Sequence, residues 1–364
     1  MNRRNFLRGG CALGLSTYAC GLGAATDWLD LPARLSPRAS SRLLLALARG
    51  GQGADAPLLA AGQRGIIVSS SDHGQSWQQA PTPVHVTLTA LCAEGGRAFA
   101  AGYDGVILKS VDAGRTWRKL TDGRAGNALT LAAAERRFRA SNKDEAARSA
   151  LDDIRATLEF GPANPLFGIA AQVRDGRETL IAAGAFGQVF RSSDGGTHWE
   201  SLLDRLDNPD NLHHNAVTLT RSGVWLITSE AGRIYVSVDA GDTWRRVDTG
   251  YNGALFGAIE APAGQDALWA HGFAGSLFAS RDQGASWKAL PSLGRLPLVA
   301  SARNAEGQVA ILSLNGVTHL ADGVRWRILR DKAAGLASAV CANGESWIAA
   351  GSKGVQRLSG VTQT

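Results

Sequence analysis

Cysteine, tyrosine and long apolar runs are scarce in this chain. Among its 364 residues are four cysteines and four tyrosines. No stretch reaches the ~18–20 apolar residues of a membrane span, apart from a marginal N-terminal segment. Catalytic signatures are missing too: there is no G-x-S-x-G, no H-E-x-x-H and no phosphate-binding P-loop. A strong charge excess is also lacking. The formal charge is +6, and residues 1–25 hold Arg3, Arg4 and Arg8 with no acid, so the rest of the chain carries +3. That balance excludes neither solubility nor folding, but it argues against nucleic acid or a membrane surface as partner. Beyond residue 25 only Cys92 and Cys341 remain, too few for a structural zinc site.

Residues 1–25 read as a targeting segment. Asn2-Arg3-Arg4-Asn5-Phe6-Leu7-Arg8 resembles the twin-arginine export motif, a modestly apolar run from Gly9 to Gly23 follows, and small residues offer cleavage near Ala25. Lipidation at Cys20 is the lesser reading, because Thr17 and Tyr18 suit a lipobox poorly. The expectation is export to the periplasm, with residues 26–364 as one domain.

What is present is a repeat. Ser110-Val111-Asp112-Ala113-Gly114-Arg115-Thr116-Trp117 recurs around Asp72, Asp194, Asp239 and Asp282, and a shortened copy runs from Asp322-Gly323 to Trp326. A short polar residue ends one strand, the aspartate folds back onto turn N–H groups, and glycine supplies positive φ. The tryptophan then starts the next strand. A second signal, a G-x-x-G-like turn, appears seven times, beginning at Gly62, Gly102, Gly184, Ser229, Gly272, Ser313 and Gly351. Each unit therefore reads as an apolar strand, a second strand, a tight turn, a third strand, the aspartate turn and a Trp-led fourth strand. The pattern predicts an all-β, seven-bladed β-propeller with units at about 41–82, 86–122, 164–206, 213–249, 253–292, 297–330 and 336–360. The last unit lacks its fourth strand. Asp27-Trp28-Leu29-Asp30-Leu31 resembles Thr116-Trp117-Arg118-Lys119-Leu120 and is expected to supply it, closing the ring by pairing an open edge. Cys92 and Cys341 would then lie in blades that are not neighbours, as buried thiols rather than a disulfide.

One stretch breaks the pattern. Between the second and third units, about 124–162 is rich in Ala, Arg, Asp and Glu, with Leu151, Ile154 and Leu158 at helical spacing and a break around Ser141-Asn142. Two helices inserted in a loop are expected, either as a decoration or as a partner-binding element.

Strand alternation puts the turn between strands two and three on the same side of the disc as the blade-to-blade links, with the aspartate turns on the other side. The links and turns collect the unusual side chains: Tyr103, Asn164, Phe186, Asn211, His213, His214, Glu230, Tyr251, Asn252 and Phe273 are the partner-binding candidates. Adjacent His213 and His214 would point to opposite faces of a strand and so could not easily share an ion. No metal, cofactor or catalytic residue is expected. Asp72, Asp112, Asp194, Asp239 and Asp282 read as structural turn formers.

The aspartate turns match the Asp-box of BNR-type propellers. Together with Asn164-Pro165-Leu166-Phe167, Ala183-Gly184-Ala185-Phe186-Gly187, Asn208-Pro209-Asp210-Asn211-Leu212-His213 and Tyr251-Asn252-Gly253, the chain resembles the photosystem II assembly and stability factor family, in a non-photosynthetic bacterial form. The resemblance implies a non-enzymatic, monomeric scaffold that holds a membrane protein on its periplasmic side, and some relatives of the non-photosynthetic kind are associated with transporters. Two other readings stay open: a sialidase-like glycoside hydrolase, and a carbohydrate-binding propeller using Tyr103, Tyr251 and Phe273. The hydrolase would need a tyrosine nucleophile and an arginine cluster. Only Tyr103, Tyr235 and Tyr251 lie beyond residue 25, and no Arg-Ile-Pro motif is present.

Overall fold

The computed structural model describes residues 27–51, 56–142, 144–262, 265, 267–322, 325–329, 335–344 and 346–358. The export segment expected over 1–25 lies outside the described residues. The chain forms seven antiparallel sheets, each with its strands in sequence order. They cover 44–80, 88–121, 166–201, 214–248, 255–290, 298–329 and 337–358, hereafter blades 1 to 7. Six sheets have four strands, and that of blade 7 has three among the described residues.

Alternation along each strand builds the ring. In blade 2, Ala98, Ala100, Val106 and Leu108 face blade 1, while Phe99, Ala101 and Ile107 face blade 3. Every blade is therefore apolar on both faces, and each of the seven seams holds its own buried cluster. No blade can bury both faces without two neighbours, so the closed ring is the stable arrangement.

The Asp-boxes fasten the outer turns. In the blade 2 copy, Ser110 Oγ accepts from the Gly114 N–H (2.8 Å) and donates to Asp112 (2.7 Å). Asp112 also accepts from the Thr116 N–H (2.9 Å) and the Thr116 hydroxyl (2.6 Å). The Trp117 indole donates to the Gly114 carbonyl (3.0 Å). Gly114 has φ +88° and lies against Leu59 of blade 1, where a Cβ would meet Cδ2 at 2.4 Å; glycine is required on both counts. These donors hold the Asp112 carboxyl near 2, below the usual range, although burial opposes them. In the blade 3 copy His198 replaces the usual hydroxyl residue, and its Nδ1 reaches Asp194 at 2.6 Å.

The expected closing strand is a correction. Trp28–Asp30 form a single 3-10 turn capped by Asp27, and no described residue pairs with the outer edge of blade 7. Leu29, 1 % exposed, enters the seam between blades 1 and 2 beside Leu59, Val84 and Trp117. Asp27 and Asp30 form ion pairs with Arg124, and Asp30 also with Lys119. The likeness to the Trp-led strand thus reflects an apolar anchor between carboxylates that find cations on blade 2 (Lys119) and at the start of the first inserted helix (Arg124). Blades 7 and 1 meet directly: Ala39, Leu44, Ala60 and Val68 pack on Ala339 and Ala350, and Arg49 and Asn343 bridge the seam through Ala342 and His73 carbonyls.

The insertion is helical as expected. Helix α1 (Gly123–Ala140) is capped by Asp122 and α2 (Glu145–Leu158) by Asp144. Ala133, Ala134 and Leu151 bury against Leu203 of the following link, and Arg136 clasps Asp204 at 2.8 Å. Cys92 and Cys341 are both free; burial pushes the Cys92 thiol well up and the Cys341 thiol to about 11.

Candidate partner-binding face

The turns between second and third strands and the blade-to-blade links interlock on one side of the disc. The Gly105 N–H donates to the Asn164 carbonyl (3.0 Å), the Gly232 N–H to the Gly253 carbonyl (2.7 Å) and the Phe273 N–H to the Ala254 carbonyl (2.9 Å). Such bonds fix the turns, and three of them present an aromatic ring outward: Tyr103, Phe186 and Phe273 are 46, 50 and 53 % exposed. Phe186 sits in the left-handed region (φ 54°), a conformation bulky residues rarely adopt. The rest of the turn supports it: the Phe186 N–H donates to His213 Nδ1 (2.8 Å) and the ring packs edge-on against the imidazole at 4.9 Å. His213 in turn has Phe167 on another side, and its N–H donates to Glu230 (2.9 Å).

The loop carrying Asn211 is pinned by Asn208, whose side chain both donates to and accepts from Leu212, and by the Arg233–Asp210 ion pair at 2.9 Å. Asn164, Phe186 and Asn211 line a small cleft, about 60 Å³, whose other wall is Ile154, Thr157 and Leu158 of α2. The insertion therefore borders this face. Exposed Phe160, just past α2, adds a further ring.

Other candidates have structural work. His214, expected on the binding face, is fully buried: its Nδ1 lies 2.6 Å from Ser229 Oγ and its ring stands edge-on to Tyr235, so it is removed from any surface role. Burial lowers its pKa to about 3, keeping it neutral. His213 and His214 do point apart. The Tyr251 hydroxyl donates to the Phe273 carbonyl (2.9 Å), tying the link into blade 5 to that blade's own turn, while Asn252 is exposed. Tyr235 is buried and donates to the Asp207 carbonyl. Among the described residues no cluster of three or more His, Cys, Asp or Glu is placed to hold a metal ion, and no helix is long and apolar enough to cross a membrane.

A set of residues was not singled out from sequence. The inner strand of every blade shifts register at its start, leaving one residue unpaired: Leu45, Thr89, Phe167, Asn215, Phe256, Val299 and Ser338. Phe167, Asn215, Phe256 and Val299, from four consecutive blades, line one hollow of about 240 Å³. The signal was in the repeat, since each of the seven is followed by Ala or Gly. The small residue is needed for close approach at the hub: a Cβ on Gly257 would meet His271 Nε2 at 2.8 Å.

The fold is that of a seven-bladed β-propeller. Two solved structures of YCF48 are similar. "YCF48 bound to D1 peptide" has a TM-score of 0.62 at 15 % identity, covering 90 % of this chain and 96 % of that one. "YCF48 from Cyanidioschyzon merolae" has 0.57 at 14 %, covering 88 % and 96 %. The C-terminal WD40 domain of Sif2 is similar at 0.55 and 10 %, covering 92 % and 99 %. No family model and no curated protein matches the chain. At these identities the likeness is one of fold.

Proposed function

We propose that this chain is a non-enzymatic periplasmic scaffold, an assembly or stability factor that holds a subunit of a membrane protein complex through the face bearing Tyr103, Phe186, His213 and Phe273. The observation that carries this reading is the set of three aromatic turn tips held outward by backbone bonds on one side of the ring. Exposed aromatic rings on rigid turns are the typical anchors of a protein interface, with large contact area and little conformational entropy to lose. Support comes also from the similar propeller whose structure contains a D1 peptide.

The test is affinity purification from membranes with the full chain as bait. A Tyr103→Ala, Phe186→Ala, Phe273→Ala variant is expected to lose the co-purifying membrane protein while keeping its melting temperature, because all three rings are about half exposed. Recovery equal to that of the parent would refute the assignment. A chain lacking residues 126–160 tests the insertion separately: equal recovery would show that α1 and α2 do not contribute.

A further inference from the structure

At five seams the Asp-box of the following blade closes the outer turn over its neighbour. Gly74 lies against Ile348, Gly114 against Leu59, Gly196 against Leu120, Gly241 against Ile181 and Gly284 against Leu226. Blade 6 is different. Its third strand ends at Asp322 and its fourth begins at Arg325, with two residues between, whereas seven separate Ser280 from Lys288 in blade 5. There is no room for the Asp-box, and the shortened sequence repeat is the cause. At this side of blade 5 lie two adjoining hollows of about 560 and 580 Å³, which share Ala267, Arg281 and Asp282.

The two hollows differ in chemistry. The one nearer the hub is lined by Arg221, Arg281, Arg303, Glu260 and Asp282. Asp282 is saturated by its own box, accepting from the Ser280 hydroxyl (2.7 Å) and from the Ser286 N–H (2.9 Å) and hydroxyl (2.6 Å). Glu260 accepts from the Arg221 N–H (2.6 Å) and stands 3.4 Å from Arg221 Nε and 3.7 Å from Arg303. Among the described residues, three guanidinium groups thus share one carboxylate not already saturated by its own turn. Arg303 is mostly buried, and its Nε has no hydrogen-bond partner among the described residues. Burial and the nearby Arg221 disfavour its charge, which an added anion would offset. The second hollow is more apolar, with Trp326, backed by Trp269 in a stacked pair at 5.2 Å, together with Leu290 and Leu293.

We propose that this opening around blade 5, which reaches from Arg221 of blade 4 to Arg303 and Trp326 of blade 6, is a binding site for a carboxylate that carries an aromatic or branched apolar group. The carboxylate sits among Arg221, Arg281 and Arg303, and the apolar part rests against Trp326 and Leu290. Arginine presents paired N–H donors that match a carboxylate. The site lies on the Asp-box side of the disc and is independent of the partner face.

The test uses the full chain and N-acetyl-4-fluorophenylalanine, followed by ¹⁹F line broadening. Saturable binding is expected. It should weaken by about tenfold or more with the corresponding carboxamide, with Arg303→Gln and with Arg281→Gln, each of which removes a charge-assisted contact. Arg281 is exposed, so its variant keeps the test valid if Arg303→Gln unfolds. A short peptide ending in the same residue distinguishes a protein C-terminus from a small acid, and saturable binding of either supports the site. No saturable binding of both probes, equal affinity for the carboxamide, or affinity unchanged by Arg281→Gln would overturn the proposal.

Discussion

Asp104 should make this protein less stable as pH rises, and replacing it with asparagine should remove the effect. The residue is 9 % exposed, and its carboxyl has no hydrogen-bond or ion-pair partner among the described residues and is pushed by burial from 3.8 to about 6. The folded state therefore holds a proton more tightly than the unfolded chain. The stabilisation is complete below about pH 4 and is lost as pH rises through 6. A gap of roughly two pH units corresponds to ~3 kcal/mol. Residual contact with water makes that an upper limit, and about 1–3 kcal/mol is expected. Asparagine fits the backbone, because position 104 has φ 58° and ψ 30°, a region it tolerates better than most residues. Urea denaturation followed by tryptophan fluorescence, for parent and Asp104→Asn at pH 4 and pH 7.5, is the assay. The variant should match the parent at the lower pH and exceed it at the higher one. A variant no more stable than the parent at pH 7.5, or one stabilised equally at both, would refute the reasoning.

Leu29→Ala should destabilise the fold by about 2–4 kcal/mol, since it empties a fully buried position in the first seam; an unchanged melting temperature would show that residues 27–31 do not anchor the ring. Asp112→Ala removes acceptors for the Ser110 hydroxyl and for the Thr116 N–H and hydroxyl, at a cost of ~2 kcal/mol. Because the Asp112 pKa is depressed to about 2, its stabilising contribution is present above about pH 4 and lost as pH falls toward 2, so parent and variant should converge in acid melts. Cys92 and Cys341, free and with raised pKa, should resist a thiol reagent in the native chain and react on unfolding. Fast modification of the folded protein would contradict their placement.

Blade count, blade limits and the paired helices were legible because each follows from local chemistry. An Asp-box closes on itself within seven residues, and alternation shows which residues leave each sheet face. The side of the disc that carries Tyr103, Phe186 and Phe273 followed from strand direction alone. His213 and His214 show where this stopped. Both are histidines in one link, yet one becomes the shelf beneath Phe186 and the other is sealed against Tyr235.

The sequence by itself determined a ring of seven similar sheets, since every unit carries two apolar faces that only neighbouring units can cover. Tertiary structure decided what no single repeat records. Asp27–Leu31 has the same pattern as a Trp-led strand, but Leu29 goes to the first seam because Lys119 and Arg124 sit there to meet its flanking carboxylates. The hub residues Phe167, Asn215 and Phe256 meet only when the ring closes. The opening beside blade 6 exists because a turn too short to hold an Asp-box leaves its neighbour uncovered, a property of two blades together.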